Sequence, residues 1–406
     1  MNDNINIAVS KPIHIGVHML QAFPASLPNR DQHGRPKDVY YGGHLRMRIS
    51  SQNLKRHHRL DFESGLAERA IRSRRWPQRL ANSLINDYGW DAEAAEAAWS
   101  HVSEALKGKL VATGGTRDDS EKERKTASLV FLPEQALYSL AELCDRYRDT
   151  IAASDVTETR SAPILDRKKV NRIFLSSNIV VDMFGRMLTE VPDAGIDGSL
   201  GVAHAFSTHA AEPQLDSFTA VDDWETLADG AANTATAYMQ ASELATGTFY
   251  RYATVNITDL IANTARDNKL TDTPADRDTL KEALTTLLAC IIEYNPQAKK
   301  NSTAPHTLPN LVYMTVREGR PFSAAAAFEK PIVNRGTSGY MEPSKEALNT
   351  HIRRLKNFTK QRGDLFNGYA SFDETTHEDL GTQYKAFDDA IAEAVAVALD
   401  NNGDQR

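Results

Sequence analysis

Arg46 to Arg59 reads RMRISSQNLKRHHR, and its period changes in the middle. Leu45, Met47 and Ile49 alternate with Arg46 and Arg48, the period-two pattern of a strand. Ser50 and Ser51 then supply hydroxyls that favour a helix N-cap, and Gln52 to Leu60 continues as helix. A strand that turns directly into a helix leaves the first N–H groups of that helix unbonded, and these attract an anion. Ser50 and Gln52 add neutral donors. Lys55 and Arg59 stand four residues apart, on one helix face with Gln52 nearby. The set suits two consecutive phosphates; the plainer alternative is a capped helix with a solvated basic side.

Upstream, Ile13, Ile15, Val17 and Met19 alternate with His14, Gly16, His18 and Leu20, which predicts a strand over about residues 13–22. Phe23 to Lys37 is rich in Pro, Asn, Asp and Gly and carries Arg30, Arg35 and Lys37: a long basic loop. Gly42-Gly43 bends the segment Val39–Ile49 into a kinked strand or short hairpin. Downstream, about residues 61–170 are rich in Ala, Leu, Arg and Glu at helical spacing, as at Leu80, Leu84, Ile85 and Tyr88. They are broken by the charged run 114–125 (GGTRDDSEKERK). Leu188 to Thr246 has few large apolar residues and predicts an extended arm with little core of its own. A strand over Thr248–Ile257, a helix over Asp278–Glu293, a strand over Leu311–Val316, a helix over Ser344–Phe358 and a last helix over Leu380–Leu399 follow. This order of few strands with long insertions predicts an α+β fold of the split βαβ kind, the class that includes RNA-recognition folds.

The charges are unevenly placed. The chain of 406 residues carries a net charge of −7, which argues against a general nucleic-acid coat. Arg30, Arg35, Lys37, Arg46, Arg48, Lys55, Arg56, Arg59, Arg69, Arg72, Arg74, Arg75 and Arg79 nevertheless crowd residues 30–79, and residues 373–404 are acidic. One basic face on an acidic protein suits a polyanion; a salt-bridged helix surface is the other option. No apolar run approaches the roughly 18 residues of a membrane helix, and Met1 to Ser10 lacks the pattern of a signal peptide. Cys144 and Cys290 are far apart without metal spacing, which predicts buried free thiols in a reducing, cytoplasmic setting.

Catalytic patterns are weak. His57 and His58 are adjacent and so diverge on a helix, while His204 and His209 have no ligand-spaced Cys or carboxylate. Neither a G-x-S-x-G elbow nor a P-loop occurs. Asp31, beside Arg30, is the one carboxylate placed to assist metal-dependent cleavage of RNA; orienting a neighbouring arginine is its commoner role. Phe249-Tyr250-Arg251-Tyr252 offers a stacking platform for bases, with Phe249 better suited to the core. The expectation is a non-enzyme with no catalytic residue, metal or cofactor.

An ordered set of short motifs now becomes recognisable. Asn29-Arg30-Asp31, Lys37-Asp38, Gly42-Gly43 and Arg48-Ile49-Ser50-Ser51-Gln52, followed by Leu54-Lys55-Arg56, open it. Gly185-Arg186-Met187, Ala203-His204-Ala205, Thr208-His209 and Phe218-Thr219-Ala220-Val221-Asp222-Asp223 come next. Gly247 to Ala253 and Ala327-Phe328-Glu329-Lys330 close it. Across about residues 13–330 the chain resembles the CasC family (Cse-four type), the backbone subunit of the type I-E CRISPR Cascade complex.

The resemblance implies a ferredoxin-like (RRM-like) palm, a helical fingers insertion and a β-hairpin thumb. These divide the chain into residues 1–60 (palm), 61–170 (fingers), 171–189 (palm), 190–246 (thumb) and 247–406 (palm and C-terminal helices). It implies several copies stacked as a helical filament on a CRISPR guide RNA, with target DNA and the subunits CasA, CasB, CasD and CasE as further partners and no membrane. RNA contacts carried over are Arg30, Lys37, Ser50, Gln52, Lys55 and Arg59 on the backbone and Met187 against a base, with Phe218 and Thr219 wedging beside a flipped nucleotide. Ser217 stands where family members often have Trp. Lys168 and Lys169 are implied as a basic finger patch facing target DNA. The alternatives are a type III-like RNA-guided ribonuclease backbone using Asp31 and an RNA-recognition-type protein outside CRISPR.

Overall fold

The structure is a computed structural model that describes residues 11–113, 124–154, 162–211, 214–221, 236–266, 274–334, 336 and 339–403. Of these, the side chains at 113, 214, 218–221, 236–240, 274–275 and 403 are not described. The chain forms two compact units, residues 1–60 with 201–258 and 277–406, and residues 61–200 with 259–276.

The first unit is a mixed α+β body built on a large, mostly antiparallel sheet. Its strands are β1 (Ile13–Ser26), β2 (Asp38–Tyr41), β3 (His44–Ile49), β4 (Ala205–Ser207), β5 (Gln214–Val221), β6 (Thr236–Asn256), β7 (Leu311–Glu318), β8 (Asp364–Ser371) and β9 (Thr382–Tyr384). They lie in the order β9-β8-β7-β1-β6-β4-β3-β2, with β5 paired to β6. β1 runs antiparallel to both β6 and β7, whereas β8 and β9 pair in parallel. The helices are α1 (Ser51–Ser64), α2 (Pro274–Ile292), α3 (Met341–Thr359) and α4 (Phe387–Gly403).

β1 sits at the centre and is buried on both faces. The alternation Ile13, Ile15, Val17, Met19 marks one face as expected, but the other is not solvated: His18 is fully buried. His18 stands opposite Tyr252 on β6 and Tyr313 on β7, and its ring lies against both, with Phe322 beside it. Leu20 on that face joins Tyr250, Tyr313 and Tyr369 in a cluster with Leu348 and Ile352 of α3. α4 contacts β1, β7 and β8, and Ile391, Ala394, Val395 and Ala398, at helical spacing, are fully buried.

Several boundaries differ from the sequence expectation: β6 begins at Thr236 and not at Thr248, α2 begins at Pro274 and not at Asp278, and two further differences have a local cause. β1 runs to Ser26 instead of ending near residue 22; the ladder shifts register between Phe23 and Ser26, and Pro24, which cannot donate, falls in that irregularity. The last helix starts at Phe387. A 3₁₀ turn, Glu378–Leu380, leads into Gly381, whose φ of 89° permits a left-handed bend that sends β9 alongside β8. A Cβ at Gly381 would stand 2.2 Å from the Asn367 oxygen, so the approach requires glycine.

The second unit is largely helical. Helices Trp76–Tyr88, Ala92–Ala105, Gln135–Asp145 and Arg167–Leu175 bury Leu80, Leu84, Trp99, Val102, Leu140 and Phe174 in one cluster, which Leu188, Val191 and Ala194 join. Its indoles are satisfied: Trp76 donates to the Val130 carbonyl at 3.1 Å, Trp99 to that of Leu110 at 2.9 Å, and Trp90 to Asp145 at 2.8 Å. Cys144 is buried, and burial with Asp145 nearby pushes its thiol up to about 12, leaving it unreactive. No helix among the described residues is long and apolar enough to cross a membrane.

The buried histidines make stability pH-dependent. Burial, with His351 adding repulsion, lowers His18 from 6.5 to about 3, and burial also holds His58 well below its ordinary value. The unfolded chain therefore takes up protons below pH 6.5 that the native state refuses. The stability is fully present above 6.5 and is lost as pH falls toward 3. Denaturant titrations should show the unfolding free energy falling by about 1.4 kcal/mol per pH unit for each such histidine below pH 6. His18→Phe should flatten that slope by one histidine's share; an unchanged slope would disprove the assignment.

Candidate nucleic-acid interface

The strand-to-helix junction is held from below by a buried arginine. Arg46 on β3 is fully buried and donates to four backbone carbonyls: Ser207 at 3.0 Å, Thr208 at 2.9 Å, Phe328 at 2.9 Å and Glu329 at 3.0 Å. It therefore does not contribute to the basic surface to which its charge suggested it belongs. Gly42, at the tip between β2 and β3, packs so tightly that a Cβ would stand 1.8 Å from the Glu329 oxygen. Two motifs far apart in the sequence, Gly42-Gly43 and Ala327–Lys330, thus meet.

The basic loop is tied to the junction at successive points. The Asn29 side-chain oxygen accepts from the Ser50 N–H at 2.9 Å, and its carbonyl accepts from the Lys37 N–H at 2.8 Å. The Lys37 carbonyl in turn accepts from the Arg48 N–H at 2.8 Å. Asp31 shapes the loop by accepting from the backbone N–H of His33 at 2.8 Å and of Arg35 at 2.9 Å. Desolvation raises its carboxyl, and the Arg35 and His33 N–H donors together with the charges of those two side chains outweigh it, so it titrates below an ordinary aspartate. Its hydrogen bonds come from these main-chain donors, and the Arg35 side chain acts on it through its charge.

On this frame the candidate residues spread over one basic region. Arg30 and Gln52 are exposed, Lys37, Arg48, Lys55 and Arg59 are half-buried, and Ser50 is buried with its Oγ 3.4 Å from the Asn53 N–H, a long N-cap contact. Partial burial lowers the Lys55 ammonium from its usual value. Arg48 donates from Nε to the Asp38 carbonyl at 3.0 Å. Among the described residues no carboxylate comes within ion-pair distance of Lys37 or Arg48, whereas Arg35 lies 3.6 Å from Glu243. His204, a poor metal-ligand candidate on spacing alone, stands at the start of α1: its Nδ1 accepts from the Ser51 N–H at 3.0 Å. Local desolvation, then the Arg48 and Lys37 charges, lower its pKa.

Other expectations are redirected. Phe249, Tyr250 and Arg251 are all buried, so this strand is not a stacking platform for bases. Arg251 donates to Gln21 at 2.6 Å and to the Ile291 and Ile292 carbonyls, and lies over the Tyr294 ring; burial lowers it to about 10. His209 stacks on Tyr340 at 3.8 Å and accepts from the Thr248 N–H, which accounts for it without a metal. Phe218 and Thr219 lie on β5, paired in backbone with Gln240 and Met239 of β6, and their side chains lie outside what is described. Asp222, Asp223 and residues 114–123 lie outside the described residues.

In the second unit Met187 is 87% exposed. Its neighbour Arg186 is buried and donates to the carbonyls of Ala194 at 2.6 Å, Ser176 at 2.6 Å and Leu175 at 3.2 Å. Gly185, at φ 79°, touches Gly198, where a Cβ would find the backbone nitrogen at 2.8 Å. The motif Gly185-Arg186-Met187 is therefore a rigid base that presents a thioether. Lys168 and Lys169 are exposed at the start of the helix Arg167–Leu175, which Asp166 caps.

Taken together, the molecule is a mixed α+β protein with a mostly antiparallel sheet and a cationic strand-to-helix junction. A family profile described as CT1975-like protein matches residues 15–394, and the chain belongs to that family. A solved chain described as "CRISPR RNA-guided surveillance complex, pre-nicking" is 34% identical with a TM-score of 0.84, covering 95% of this chain and 100% of its own length. A second, described as "CRISPR RNA-guided surveillance complex", is 31% identical with a TM-score of 0.74 over 94% and 99%. No curated protein matches the chain.

Proposed function

We propose that this chain is a CasC-like, type I-E backbone subunit of a CRISPR surveillance complex, several copies of which coat a guide RNA and leave its bases free to pair with target DNA. The observation that carries this reading is the basic junction itself, where Lys37 and Arg48 face no carboxylate among the described residues beside the capped start of α1. Contacts of this kind address phosphate and sugar, which suits a guide whose sequence must be held without being read. The relatedness to chains of RNA-guided surveillance complexes supports the same assignment.

In this reading residues 1–60, 171–189 and 247–406 make a ferredoxin-like palm with the C-terminal helices, residues 61–170 are the fingers, and the arm over residues 190–246, which carries β5 and the start of β6, is the thumb. Guide RNA, further copies of the chain, target DNA and CasA, CasB, CasD and CasE are its partners in the cytoplasm. The chain is a scaffold and not an enzyme. The competing reading is a ribonuclease backbone that uses Asp31, whose Oδ1 accepts from two backbone N–H groups and shapes the loop.

Filter binding with a repeat-spacer RNA tests the proposal. Lys55→Ala with Arg59→Ala should weaken retention and flatten the salt dependence by about 1.4 in slope, roughly 0.7 per lost contact on a single strand. Unchanged retention and slope would sink the site. Native mass analysis should find several copies per RNA; a one-to-one complex would sink the filament.

A further inference from the structure

We infer that His204 is a ligand of the nucleic-acid backbone, donating its Nε2–H as a neutral imidazole to the phosphate that Lys37 and Arg48 attract. The inference rests on the RNA-binding reading and adds a residue to it. The geometry fixes the tautomer. The Ser51 N–H donates to His204 Nδ1 at 3.0 Å, so that nitrogen must be unprotonated, and a neutral imidazole then carries its proton on Nε2. One side of the ring thus closes the start of α1 while the other presents a donor.

The register places that donor beside the two cations. Arg48 is opposite Phe206 and Ile49 opposite Ala205, so the β3–β4 ladder leads directly to His204 at the Ser50–Ser51 end. Lys37 joins from the other side of β3, its carbonyl taking the Arg48 N–H. Lys37 and Arg48, eleven residues apart, and the distant His204 therefore contribute two cationic donors and one neutral one. The first turn of α1 has no acidic residue, and neither cation is ion-paired among the described residues. A phosphodiester oxygen accepts several hydrogen bonds, and a neutral donor near two cations supplies one without adding to their mutual repulsion. His204 is an exposed residue, yet local desolvation, then the Arg48 and Lys37 charges, lower its pKa and so favour the neutral imidazole. Protonating Nδ1 instead would break the bond to Ser51.

His204→Asn separates binding from capping, because its amide oxygen can still accept from Ser51 while nothing remains at the Nε2 position. With the full chain and single-stranded uridine and deoxyuridine oligonucleotides as probes, affinity should fall about tenfold for both. The salt slope should stay unchanged, since a neutral donor releases no counterion. Unaltered affinity would make His204 a structural cap only. A slope that falls would mean a charged imidazole, and a loss confined to the ribose probe would mean a 2′-hydroxyl contact; each overturns the proposal. Should the variant fail to fold, nitrogen-15 spectra of the unaltered chain decide: added oligonucleotide should slow exchange of the His204 Nε2 proton, and an unchanged rate refutes the contact. Lys37→Ala and Arg48→Ala serve as the control. If they too leave binding intact, the polynucleotide reading itself fails.

Discussion

Arg46→Met should destabilise the protein by about 4 kcal/mol and abolish nucleic-acid retention, despite removing a cation that never reaches the surface. The guanidinium is fully buried and serves the Ser207, Thr208, Phe328 and Glu329 carbonyls. The Thr208 carbonyl keeps a second donor, the Ile332 N–H at 2.9 Å, but a carbonyl left buried and unbonded costs about 1–3 kcal/mol, so even partial relaxation at the others leaves a large deficit. Arg46→Lys should recover little, because one ammonium cannot match a planar fork that bonds four acceptors. The functional loss follows from position: β3 delivers Arg48, Ser50 and the start of α1, and Arg46 anchors β3 to the segments after β4 and around Glu329. Denaturant unfolding monitored alongside filter binding checks both parts. A Met variant within 1 kcal/mol of the parent would show that the carbonyl clamp is dispensable.

Gly42→Ala should have the next largest effect. The position has a φ of 59°, where a Cβ costs about 1–2 kcal/mol in the left-handed region. The added atom would also meet the Glu329 oxygen at 1.8 Å, so the backbone must move, at about 1–3 kcal/mol more. The expected total is about 3 kcal/mol. Gly43 is the internal control: its φ of 77° carries the conformational cost, yet nothing lies within 4 Å of its Cβ position. Gly43→Ala should therefore cost only about 1–2 kcal/mol. Equal losses at the two sites would refute the close contact.

These two positions mark where the sequence stops being legible. The switch from period two to helix at Ser50, the central strand beginning at Ile13, and the helices near residues 278 and 344 all follow from local pattern. What pattern misses is long-range. Arg46 and Arg251 count as surface charge in any composition, yet both are buried on carbonyls contributed by other parts of the chain. His18 looks like the polar half of an amphipathic strand because the tyrosines that bury it come from residues 250, 252 and 313. The same holds for the site. Lys55 and Arg59 could be read from spacing, whereas His204 meets Ser51 across 153 positions, and its only local trace was its place in Ala203-His204-Ala205.

The length of β6 has a mechanical consequence. This single strand of 21 residues, about 70 Å if fully extended, pairs with β5 along its first half and with β1 along its second. A tug on the hairpin end runs along the strand axis and loads the β1–β6 ladder in shear, so its rungs share the force instead of unzipping singly. Whatever grips that hairpin therefore pulls directly on the central ladder of the sheet.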